Sequence, residues 1–104
     1  MSEGEVPIQQ QITIGYHRLR SAFFNLAELI FLNVLERDPG NPTALRLLGV
    51  TRCKMGRLAE GIAHLREATD RAPEIEAAWS DLAVVLRDVG ETEAAAEAHA
   101  RAAA

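Results

Sequence analysis

The 104-residue chain has a single cysteine, Cys53, so it can close no disulfide within itself and offers no cysteine-rich metal site. A reducing compartment suits such a chain, and a cytoplasmic location is expected. It also lacks a basic stripe. The net charge is −4 and the eleven Lys and Arg residues are spread along the chain, whereas a nucleic-acid partner would need cations gathered to neutralise phosphates. No long hydrophobic run is present. The richest stretch, Ala22 to Leu35, is broken by Asn25, Glu28 and Asn33 and falls short of the roughly 20 apolar residues that span a bilayer, so no membrane partner is expected. The opening residues Met1 to Pro7 are acidic and carry neither a basic region nor an apolar segment, unlike a secretory signal. No glycine-rich phosphate loop appears. His17, His64 and His99 stand far apart, with no carboxylate or cysteine at zinc-ligand spacing. These absences leave neither cofactor nor metal nor catalytic residue to nominate, and the chain reads as a non-enzyme.

What is present is globular in character: 48% hydrophobic and 25% charged residues, with length for one domain. The strongest local signal is Asp38-Pro39-Gly40-Asn41-Pro42. Pro39 and Gly40 stop one helix, proline by disfavouring helical geometry before it and glycine by tolerating the left-handed conformation of a helix end. Asn41 can cap the next helix, and Pro42 fits its first turn, where the missing N–H does no harm.

This punctuation returns every thirty-four residues. Pro39 recurs as Pro73, Leu48 as Leu82, Gly56 as Gly90, and Ala27 as Gly61 and Ala95, while Ala68 recurs as Ala102. The register resembles the tetratricopeptide repeat family, whose unit is a pair of antiparallel helices. Unit two matches through Leu48-Gly49, Gly56, Leu58, Gly61, Leu65, Ala68 and Pro73, and unit three through Trp79, Leu82-Ala83, Gly90, Ala95 and Ala102. Unit one matches in its second helix through Ala27, Phe31 and Val34; its first helix has Gln11 at the tryptophan place but keeps Ile14-Gly15.

The expected fold is therefore all-α, an α-α superhelix or solenoid of three stacked antiparallel hairpins, with helices over 8–20, 23–37, 42–54, 58–71, 75–88 and 92–103. Residues 1–7 are expected to be disordered or extended, and the units to span about 8–41, 42–75 and 76–104. Stacking makes one core in which Leu48, Leu65, Trp79, Leu82 and Leu86 sit.

In this family the first helices of the units line a concave groove where partner peptides usually lie. Transferred residue by residue, the groove residues are Tyr16, Arg20, Arg46, Val50, Cys53, Lys54, Ser80, Asp81, Val84 and Arg87, with Ile12, Leu47, Ala77 and Asp88 among their neighbours. Members that grip the carboxylate tails of chaperones place lysine, arginine and asparagine where this chain has Ile12, Tyr16, Leu47, Ala77 and Asp81, so that clamp is absent. Basic Arg20, Arg46 and Lys54 against acidic Asp81 and Asp88 would suit a dipolar peptide.

A second surface does not follow from the repeat. Phe23, Leu26, Leu29, Ile30 and Leu32 lie outside the repeat's core positions, and their equivalents in unit two are Arg57, Glu60, Ala63, His64 and Arg66. An apolar patch at positions that are otherwise polar invites association. Either the N-terminal segment, with Val6, Ile8, Ile12 and Tyr16, folds back over it, or a second copy packs there. A homodimer is the preferred expectation, since a two-fold contact needs only one such patch. The last helix is mostly alanine, and the family's closing proline and polar capping helix are missing, so a partner or further chain is expected to cover that end. The sequence thus points to a protein-binding scaffold that self-associates through its first hairpin. The alternative is the N-terminal repeat region of a larger bacterial enzyme, such as a transferase.

Overall fold

The computed structural model describes residues 5–104. It contains six helices: α1 (Ile8–Arg20), α2 (Phe24–Arg37), α3 (Pro42–Lys54), α4 (Leu58–Arg71), α5 (Glu76–Asp88) and α6 (Thr92–Ala103). No strand occurs among the described residues. Local chemistry sets the boundaries. The Asn41 Oδ1 accepts a hydrogen bond of 2.9 Å from the Ala44 N–H, and Pro42 opens α3, which satisfies one of the free donors of the first turn. Gly56 and Gly90 take φ of +83° and +86° between the helices of units two and three, a conformation that glycine adopts without a Cβ clash. The same place in unit one is held by Ala22, at φ +64°.

The helices pair as α1/α2, α3/α4 and α5/α6. Successive hairpins meet through α2 on α3 and α4 on α5, and the first helices touch along the stack. The result is elongated, 48 × 26 × 18 Å. The core runs along it in three clusters. Phe31, Val34 and Leu48 close the first, Leu65, Leu82 and Leu86 the second, and Leu45, Ala68 and Ala78 the third. Glycine lets helices approach at two points. A Cβ on Gly15 would lie 2.6 Å from the Phe31 ring, and one on Gly61 would strike the Cys53 sulfur and lie 2.8 Å from the Gly49 carbonyl.

Two expectations change. Trp79 lies at the rim of the core, half-buried: its Nε1 donates to the Pro73 carbonyl at 2.8 Å, and the Arg101 guanidinium stacks 5.2 Å from its ring centre. The indole N–H needs an acceptor, and the aliphatic interior offers none. Gly40 is not among the left-handed residues. Its role is space, because a Cβ there would come within 2.8 Å of the Arg71 guanidinium.

Candidate protein-binding interface

Three surfaces remain once the core is closed. The concave face brings Val50, Cys53 and Lys54 of α3 together with Asp81 and Val84 of α5, around a depression of about 240 Å³ that Asp88 also borders. Arg46 lies at its edge and donates to Asp81 Oδ2 at 2.8 Å. That ion pair, between helices thirty-five residues apart in sequence, joins the two charges that were expected to stand at opposite ends of the groove. The groove's dipole is reduced accordingly. Ile12 and Leu47 are buried in the first cluster and do not line it. Tyr16 and Arg20 stand further along the same side, with the Arg20 guanidinium donating to the Tyr16 hydroxyl at 3.2 Å.

Cys53 sits half-buried in this groove. Burial pushes its thiol above the usual range, Asp81 and Asp88 add to the shift, and Lys54 opposes it. The neutral thiol is thus favoured in the fold, a preference held below the unfolded thiol's pKa and lost as pH rises through the raised folded value. Because the thiolate is the nucleophile, iodoacetamide at about pH 8 should alkylate Cys53 roughly 3- to 10-fold more slowly in the folded chain than in urea. Equal rates would contradict this environment.

Ser80, Val84 and Arg87 of α5 form a second hollow with Thr92, Ala96 and His99 of α6, about 550 Å³ at the C-terminal end of the stack. Ser80 and Arg87, assigned to the groove by register, belong to this end cleft, and Val84 borders both.

The third surface is the outer face of α2. Phe23, Leu26, Leu29 and Leu32 are exposed there by 58, 43, 64 and 41%. Ile30 is not part of it: the side chain is half-buried, with its Cγ2 3.0 Å from where a Gly15 Cβ would lie. It turns inward because Gly15 leaves room for it against α1.

The N-terminal segment runs elsewhere. Arg37 donates to the Val6 carbonyl at 2.6 Å and to Gln11 Oε1 at 2.8 Å, and pairs with Glu5 at 3.4 Å. Residues 5–7 are therefore held at the C-terminal end of α2 and leave Phe23, Leu26, Leu29 and Leu32 uncovered. The expectation for residues 1–4 lies outside the described residues.

Beside the patch, Glu28 accepts from Arg52 Nε at 3.0 Å and Arg57 Nη1 at 2.8 Å, tying α2 to the second hairpin. The Arg57 guanidinium also holds the exposed Glu60 carboxyl below the usual carboxylate range. His64 Nδ1 lies 2.8 Å from the Glu60 carbonyl and so donates to it. Among the described residues no group of three or more His, Cys, Asp or Glu could hold a metal ion, and no helix is long and apolar enough to cross a membrane.

No protein-family model matches the chain, and no curated protein does. Solved structures do. MamA from Desulfovibrio magneticus RS-1 is 22% identical, with a TM-score of 0.84 over 91% of this chain and 54% of that one. A point mutant of the O-GlcNAc transferase of Thermobaculum terrenum is 25% identical, with a TM-score of 0.87 over 91% of this chain but 18% of that one. The type III secretion translocator chaperone SycD of Yersinia enterocolitica is 18% identical, with a TM-score of 0.83 over 91% and 71% of the two chains. The chain spans about half the length of the MamA structures it matches. With its thirty-four-residue period and these likenesses, the chain is a helical repeat of the tetratricopeptide type, three hairpins in register.

Proposed function

We propose that the chain is a cytoplasmic protein-interaction module, not an enzyme, that binds a protein or peptide partner in its concave groove and self-associates through its first hairpin. The observation that carries self-association is the face of α2, where four large apolar side chains are 41 to 64% exposed at places held in unit two by Arg57, Glu60, Ala63 and Arg66. Single exposed hydrophobes are ordinary on a protein surface, whereas four on one helix face favour association. Residues 5–7, which could have covered them, are pinned at Arg37 instead, and that supports the second of the two coverings. For the groove, the mixture of Val50, Val84, Lys54 and Asp88 around a shallow hollow suits an extended or helical peptide with both apolar and charged groups. A peptide lying there would shield Cys53 from alkylation.

Sedimentation of the wild type and of Leu29→Glu at micromolar concentration tests self-association. The wild type should associate as concentration rises, and the variant should remain monomeric. A wild type that is monomeric throughout this range removes the reading.

One observation favours the second reading, in which these hairpins serve a larger bacterial enzyme such as a transferase by positioning substrate or dimerising it. It is the match of nearly the whole chain to less than a fifth of an O-GlcNAc transferase. The faces described above would then act within that larger molecule.

A further inference from the structure

The repeat reveals what the cleft between α5 and α6 receives. In units one and two the equivalent surface is covered by the first helix of the following unit: α3 lies on the first hairpin and α5 on the second. On α5 the covering face is the row Ala78, Asp81, Val85 and Asp88. Ala78 packs with Leu45 and Ala68, Asp81 bonds Arg46, and Val85 and Asp88 border the hollow at Cys53. These are the third, sixth, tenth and thirteenth residues of α5. The same four places on α2 are Leu26, Leu29, Asn33 and Glu36, and all four are exposed. The chain therefore carries an open socket at one end and a second helix with the matching row near the other.

The two differ from their internal counterparts in compensating ways. Where α5 sets Asp81 against Arg46, α2 would set Leu29 against Ser80, the equivalent of Arg46, exchanging an ion pair for an apolar contact. Thr92, Ala96 and His99 replace Leu58, Ile62 and Leu65. That hollows the cleft to about 550 Å³ and makes room for the larger leucines of α2. Where Asp88 borders Cys53, Glu36 would face Arg87, the equivalent of Cys53. Arg87 and Glu36 are both exposed, and neither has an ion-pair partner among the described residues. The charge match holds in one direction only, with α2 parallel to α5, which is the direction in which successive first helices run.

We infer that the α5/α6 cleft of one copy receives the Leu26–Leu29–Glu36 face of α2 from a second copy, so that chains join head to tail. This rests on the self-association proposed above and names the surface that receives the patch. The contact is heterologous: each copy keeps one free patch and one free cleft, so association continues beyond the dimer unless the rotation between copies closes a ring. The apolar contact supplies most of the affinity, and the Glu36–Arg87 pair fixes direction, as a rim charge pair does.

The test uses sedimentation velocity on wild type, Leu29→Glu and Ala96→Glu, alone and mixed. Both substituted residues are exposed, and thermal melts by circular dichroism should match the wild type. Each variant alone should associate at least about tenfold more weakly than wild type, since each loses the centre of one face. An equimolar mixture should form a one-to-one dimer that grows no further, because each variant supplies the face that the other lacks. An Ala96→Glu chain that associates as well as wild type while Leu29→Glu does not would overturn the cleft contact and leave a two-fold α2 dimer standing. A mixture that stays monomeric overturns it as well. A monomeric wild type removes both this contact and the self-association on which it rests.

Discussion

Replacing Phe31 with alanine should cost about 3–5 kcal/mol of folding stability, a large share of the roughly 5–15 kcal/mol available to a domain of this size. Phe31 has no solvent exposure, and its ring lies in the cluster with Ile12, Ala27, Val34 and Leu48. It also fills the space that Gly15 leaves open on α1. Removing the ring therefore opens a cavity bounded by three helices, and neither α1 nor α3 can move in to fill it without losing its contacts with α2. Chemical unfolding should show a lower midpoint with an unchanged denaturant dependence. A loss below about 1 kcal/mol would mean that the first hairpin collapses around the gap, and that its core is looser than the packing indicates.

The second large effect is expected at Gly61. A valine there places its Cβ on the Cys53 sulfur and 2.8 Å from the Gly49 carbonyl, so α3 and α4 must separate along their whole crossing. Overpacking of this kind costs about 3 kcal/mol or more when backbone is among the clashing groups. Gly61→Ala should be milder, since alanine recovers about 1 kcal/mol of helix propensity. Combining Gly61→Ala with Cys53→Ala removes the sulfur but keeps the carbonyl. Partial recovery in the double variant would assign part of the cost to the side chain, and none would assign it to the backbone. Thermal melts of the three variants decide between these outcomes.

Either change acts on function through the same packing. The concave groove exists because α3 and α5 are held side by side, and α3 is held by its close approach to α4 at Gly49 and Gly61. The face of α2 is presented outward because Phe31 and Ile30 anchor the opposite side of the helix against Gly15. Neither surface is a loop that could adjust independently of the core.

The sequence by itself determined the helices and their repetition. Asn41 before Pro42, glycine at positions 56 and 90, and apolar residues at thirty-four-residue intervals are local or periodic signals, and each acts over a few residues or one hairpin. The unusual apolar character of α2 was legible in the same way, by comparison of one unit with the next. Tertiary structure alone decided the rest. Ala22 adopts a left-handed conformation costing about 1–2 kcal/mol because the first hairpin must turn at the same place as the others, and no residue type announces it. Trp79 moved to the rim because its N–H sought the Pro73 carbonyl. Ile30 left the exposed patch because Gly15 lies opposite. Arg46 and Asp81 closed on each other because stacking brought separate helices within 2.8 Å. Propensity and period govern where each helix begins and which stripe it buries, and both act along the chain. Which charges pair, which large side chains stay in water and how wide each hollow is depend on distances across the stack, and only the packing of one hairpin on the next sets those.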